Sequence, residues 1–209
     1  MADRRLRRTV GAAAIALGLT GCAAAPDPSQ FHGSTVPQPW TIPATELSAT
    51  HDGSWSVTTA KAPLTLVFFG YTNCPDVCSQ EMADITSALV RIPEEQRTDV
   101  DVVFVTTDPA RDSVPVLERY LGAFDPAYVG VTGSAQDLTA MAKAFHAYGA
   151  KAGPGGQGTP DSNNPGRSGY LVDHTDYTYA VQDGQATAFW NRDVTAQQLA
   201  QDISSLLEE

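Results

Sequence analysis

The chain has 209 residues, of which 42% are hydrophobic and 18% charged, with a formal net charge of -11. A chain of this length can bury a core without help from disulfides. Its acidity argues against nucleic acid as a partner, because that affinity comes mainly from Lys and Arg on phosphates. The charge suits solubility and favours cations or basic partners without identifying either.

Arg4, Arg5, Arg7 and Arg8 form a positive start, followed by an apolar run from Val10 to Leu19. A bilayer span needs about 20 apolar residues, so the run reads as an export signal instead. Leu19-Thr20-Gly21-Cys22 closes it and resembles a bacterial lipobox, in which Cys22 is acylated and becomes the first mature residue. The plainer alternative is an ordinary signal peptide with Cys22 incidental. Pro and small residues dominate from Cys22 to Pro43 and cannot build a core, so this stretch reads as a tether. The expected division is a lipoprotein signal peptide over 1–21, a Pro-rich tether over 22–43 and a folded domain over 44–209. The protein would then sit lipid-anchored on the extracytoplasmic face of the cell membrane.

Within the domain, Glu46 to Thr59 alternates around Asp52-Gly53 and reads as a hairpin. Leu64 to Phe69 is a continuous apolar run, the pattern of a buried central strand. A loop from Gly70 to Pro75 leads into helical spacing over Val77 to Arg91. Val100 to Val105 is a second buried strand. Ser113 to Leu121 reads as a helix with Pro115 in its first turn. Tyr128 to Val131 is a strand, and Ser134 to Tyr148 a helix capped by Ser134 or Gly133. Lys151 to Ser168, rich in Gly, Pro, Asn and Ser, reads as a long loop. Tyr170 to Val172 and Tyr177 to Gln182 are strands, Asp183-Gly184 a turn, and Thr195 to Leu207 a final amphipathic helix. This order predicts an α/β fold with a mixed central sheet flanked by helices and an extra N-terminal hairpin. It fits a thioredoxin-like domain with additions, although order by itself leaves other α/β folds open.

With Cys22 lipidated, Cys74 and Cys78 are the thiols left for the domain. They lie where a buried strand hands over to a helix, in Phe69-Gly70-Tyr71-Thr72-Asn73-Cys74-Pro75-Asp76-Val77-Cys78. The spacing places Cys74 near the N-cap and Pro75 at the first helical position. The positive helix end favours thiolate there, and Asp76 opposes it. Residues i and i+4 of a helix have Cβ atoms about 5–6 Å apart. A relaxed disulfide wants about 3.5–4.5 Å, whereas two sulfurs on one metal sit within reach. The spacing therefore favours metal over disulfide, mildly. Two thiolates select Cu(I) or Zn(II). Candidates for a further ligand are His32, His51, His146, His174, Met82 and Met141. Position by itself makes His174 no more than a surface-loop histidine.

The Cys74 segment, then Phe104-Val105-Thr106-Thr107-Asp108-Pro109-Ala110-Arg111-Asp112, then Tyr170-Leu171-Val172-Asp173-His174-Thr175, resemble the three signature blocks of the Sco/SenC family. The likeness runs over roughly residues 44–207. It implies a thioredoxin-like copper chaperone or thiol reductase serving the binuclear copper site of cytochrome c oxidase. It further implies that Cys74, Cys78 and His174 bind copper, as Cu(I) and with Cu(II) as a second candidate. The implied partner is the oxidase copper-site subunit or another exported copper protein. In the reductase alternative Cys74 and Cys78 are redox-active and His174 is incidental. Ser79 stands where the family often has Pro. Asp108 and Asp112 read either as a functional loop beside the thiols or as a turn and a helix cap, with Asp112 or Ser113 capping the helix to Leu121.

Overall fold

The apolar run at Leu64 forms the middle of the molecule. In the computed structural model, which describes residues 30–151 and 172–208, all seven residues from Leu64 to Gly70 are buried. A strand with no polar face must be covered on both sides, so helices lie above and below it.

In chain order the elements are β1 (Ser34–Thr41), β2 (Leu47–Ala49), β3 (Ser54–Trp55), β4 (Leu64–Gly70), α1 (Val77–Leu89), α2 (Glu94–Arg97), β5 (Val100–Thr106) and α3 (Val114–Leu121). There follow β6 (Val129–Thr132), α4 (Ala135–Ala144), β7 (Gly149–Lys151), β8 (Val172–His174), β9 (Thr178–Gln182), β10 (Gln185–Trp190) and α5 (Ala196–Glu208). Eight strands make one sheet in the order β1-β10-β9-β4-β5-β6-β2-β3, and β7 pairs with β8 separately. β4, β5 and β6 run parallel, while β9 lies antiparallel to β4. The sheet is mixed, as the sequence predicts, and the fold is thioredoxin-like.

The two-residue period of β4 sorts its side chains between two cores. Leu64, Leu66 and Phe68 pack with α1, α3 and α5, and Cys74 and Cys78 belong to this layer. Val67 and Phe69 face the other side, with Leu138, Met141 and Phe145 of the α4 region and Trp55 of the hairpin. The thiols are thus set in an apolar layer.

The hairpin turns at Asp52-Gly53, both at positive φ (57° and 77°). Ser134 caps α4 by accepting the Asp137 N–H at 3.1 Å. α4 stops at Ala144 and not at Tyr148, because His146 adopts a left-handed conformation (φ 52°).

The larger difference concerns the stretch read as tether. Ser34 to Thr41 is strand β1, paired with β10 at the edge of the sheet. Its prolines do not prevent this. The register shifts between Thr35 and Trp40, so Val36-Pro37-Gln38-Pro39 bulges at an edge, where a missing N–H is tolerated. Ahead of it the chain is fastened to α5. Asp202 is 1% exposed and accepts the N–H groups of His32 and Gly33 at 2.9 and 2.8 Å, His32 Nδ1 at 2.9 Å and Trp190 Nε1 at 2.8 Å. His32 is therefore a structural anchor and not a metal-ligand candidate. Among the described residues no helix is long and apolar enough to cross a membrane.

Candidate functional site

The strand-to-helix junction after β4 carries the candidate site residues Cys74 and Cys78. α1 begins at Val77, with Asp76 as N-cap and no side-chain cap bond from Asp76. The cap therefore lies two residues beyond the expected position at Cys74, and the Cys74 sulfur supplies part of its function. It accepts the N–H of Cys78 at 3.4 Å, one of the orphan donors of the first turn. Both residues are buried thiols, Cys74 at 6% exposure and Cys78 at 0%. The hydrogen bond to Cys74, followed by burial, pushes the Cys78 thiol far above its ordinary range.

Gly70 makes room for this pair. A Cβ there would meet the Phe104 and Phe68 rings at 2.9 Å and Cys78 Sγ at 3.0 Å. Its carbonyl accepts the Thr107 N–H at 2.7 Å and the Thr107 hydroxyl at 3.1 Å. The segment after β5 thus holds the segment after β4.

Asp112 completes that hold. It is fully buried and accepts the Thr72 N–H at 3.0 Å, the Thr72 hydroxyl at 2.6 Å and the Thr106 hydroxyl at 2.7 Å. Of the two cap candidates, Ser113 is the N-cap of α3 and Asp112 is not. Asp108 pairs with Arg111, whose guanidinium lies 5.7 Å from the centroid of Tyr71. Asp108 also closes a turn through its carbonyl, which accepts the Arg111 and Asp112 N–H groups. Ser79 faces Tyr120, with 3.4 Å between their oxygens. Burial pushes the Tyr120 phenol up to about 12, so it stays neutral beside the thiols.

Cys74 and Cys78 are thus brought together. The His174 backbone ends β8 opposite Gly149, and its side chain lies outside the described part of the chain, as do Cys22 and the segment 152–171. Among the described residues no group of three His, Cys, Asp or Glu is placed to hold one metal ion. Of the other ligand candidates, His51 bonds the Pro126 carbonyl and His146 packs against Trp40 in a tilted ring pair, 4.4 Å between centroids. Met82 and Met141 are core residues in opposite layers.

Sequence reasoning passed over Gly70, Thr72 and Thr106. The pattern Thr106-Thr107-Asp108 after a buried strand was the available signal, but Thr107 bonds Gly70, 37 residues away in the chain.

A thioredoxin-like fold with two buried thiols at the strand-to-helix junction, one before the helix and one on its first turn, defines the class. The chain belongs to the SCO1/SenC family, whose model matches residues 41–208. It is 32% identical over 146 residues to Protein sco1 of Schizosaccharomyces pombe, covering 69% of this chain and 52% of that protein. The chain spans about half the length of the curated relatives it matches. Among solved structures, apo Sco1 from Thermus thermophilus is similar with a TM-score of 0.70 and 29% identity, covering 85% of this chain and 97% of that one. Arabidopsis thaliana ScoI, solved with copper bound, has a TM-score of 0.69 and 25% identity, covering 80% and 98%.

Proposed function

We propose that the protein is a copper metallochaperone that carries Cu(I) on Cys74, Cys78 and His174 and delivers it to an exported copper enzyme. The binuclear copper site of cytochrome c oxidase is the acceptor that family likeness suggests. The observation that carries this reading is the hydrogen bond from the Cys78 N–H to the Cys74 sulfur, 3.4 Å, at the start of α1, which sets both buried thiols side by side. Two soft sulfurs in an apolar layer suit a soft, low-coordinate ion and exclude a hard one, which needs many oxygens. A family relative, Arabidopsis ScoI, holds copper on the same fold.

Copper is cargo here. Loading displaces the protons of the two thiols, and His174 completes a three-coordinate site. Hand-over proceeds as a thiolate of the acceptor enters the open position and the donor sulfurs leave in turn. In the same reading Cys22 is acylated and becomes the first mature residue, which holds the domain on the extracytoplasmic face of the membrane.

A second reading, thiol-disulfide oxidoreductase, draws on the greater exposure of Cys74. Its thiolate would attack a partner disulfide and Cys78 would resolve the mixed disulfide, passing two electrons to the partner. The raised Cys78 thiol slows that second step, and copper loading must likewise remove its proton, so the shift does not separate the two readings. Anaerobic Cu(I) titration against a competing chelator separates the two. One tight equivalent, lost in Cys74→Ser and Cys78→Ser and weakened in His174→Ala, supports carriage. Weak binding indifferent to His174→Ala turns the reading to the reductase.

A further inference from the structure

We infer that Glu81 is a positioning residue for the third copper ligand, tying the chain that follows His174 to the helix that carries Cys78. This rests on the three-ligand reading above. Glu81 lies three residues after Cys78, on the same face of α1. It is 8% exposed, a costly place for a carboxylate that apolar side chains would fill more cheaply. Its oxygen accepts the Thr178 hydroxyl at 2.7 Å. Thr178 is fully buried, begins β9 and pairs with Phe68 of β4.

The geometry makes this bond a tie between the two halves of the site. Phe68 lies two residues before Gly70, against which Cys78 is packed. Thr178 lies four residues after His174. The intervening Thr175 is held at the other end of the arm, where its N–H donates to the Tyr148 carbonyl at 2.8 Å and its hydroxyl accepts the Tyr148 N–H at 2.8 Å. That contact fixes the arm to the chain after α4, not to the thiols. The Glu81–Thr178 bond supplies a direct link to the cysteine helix. Asp84, Asp176 and Arg192 also act on the Glu81 carboxyl, which burial holds above the usual carboxylate range.

The test is a coupling cycle in Cu(I) affinity on the full reduced chain. Glu81→Ala and Thr178→Val are made with His174 present and with His174→Ala. Loss of a supporting residue beyond the ligands costs about 10–100-fold in metal affinity. A loss of about tenfold is expected for each variant when His174 is present, with no further loss once His174 is Ala. Glu81→Gln keeps an acceptor oxygen for Thr178 and restores affinity. Equal losses in both backgrounds, or unchanged affinity with His174 present, overturn the inference. Thr178→Val preserves shape and carries the test if Glu81→Ala does not fold. A His174→Ala protein that binds as tightly as the parent overturns the three-ligand reading itself. A weakened His174→Ala beside an unaffected Glu81→Ala overturns the positioning role and leaves that reading standing.

Discussion

The N–H of Cys78 donates to the Cys74 sulfur at 3.4 Å, so the thiol ahead of α1 is tied to the thiol on its first turn. The Cys78 thiol is pushed above its ordinary value of 9.0, first by the hydrogen bond to Cys74 and then by burial. Unfolding releases a thiol that ionises near its ordinary value, while the folded one stays protonated. The stability this contributes is complete below that value and is lost as pH rises above it. Urea unfolding of the reduced protein is expected to shift to lower midpoints from pH 8 to pH 10, and Cys78→Ser to flatten the trend. An unchanged slope in Cys78→Ser would assign the alkaline loss to other groups.

Gly70→Ala places a Cβ against two aromatic rings and Cys78 Sγ, at 2.9 to 3.0 Å. Overpacking of this kind costs about 1–3 kcal/mol. The crowded atoms include the sulfur of a proposed copper ligand, so under that reading Cu(I) affinity should fall along with the denaturation midpoint. A variant as stable as the parent would show that the rings move aside.

Asp112→Ala leaves the Thr72 N–H and the Thr72 and Thr106 hydroxyls without their acceptor. Orphaned buried donors cost about 1–3 kcal/mol each, less where water enters, so a loss of about 3 kcal/mol is expected in chemical denaturation. Asp112→Asn keeps one acceptor oxygen and should lose less. Equal losses would mean that charge, and not hydrogen-bond geometry, sets the value of this residue.

Glu81 gives the opposite sense to an ordinary carboxylate. Burial raises it above its usual 4.5, so its neutral form is the better accommodated one. Its contribution to stability is present in acid and falls as pH rises through the raised value. Glu81→Gln should therefore gain thermal stability at neutral pH relative to the parent and lose that advantage near pH 4. No gain at neutral pH would mean that Arg192 and Thr178 compensate the charge fully.

Asp202→Ala removes the acceptor for His32, Gly33 and Trp190. Limited proteolysis is expected to cut near residues 30–33 in the variant and to spare the parent. Equal protection would show that β1 pairing holds the segment without Asp202.

The core elements were legible because their signals are local. The apolar run at Leu64, the turn at Asp52-Gly53 and the cap at Ser134 each announce themselves within a few residues. Strand β1 was not legible, because Pro37 and Pro39 read as breakers and an edge bulge accommodates them. α4 was read too long because the left-handed turn at His146 carries no Gly to mark it. At the site, the residue pattern indicated the cysteine pair, and family resemblance supplied the copper role and His174. The Asp112 clamp and the Glu81–Thr178 bond span 40 and 97 residues, a separation that no local pattern encodes.

The Asp202 anchor has a consequence for reach. In a chain acylated at Cys22, the leash to the folded body ends at His32 and not at Pro43. An extended chain covers about 3.5 Å per residue, so the greatest span falls from ~75 Å to ~35 Å. In that anchored form the point where the chain joins the folded body stays within ~35 Å of the bilayer, which shortens the reach of the thiols from the membrane surface.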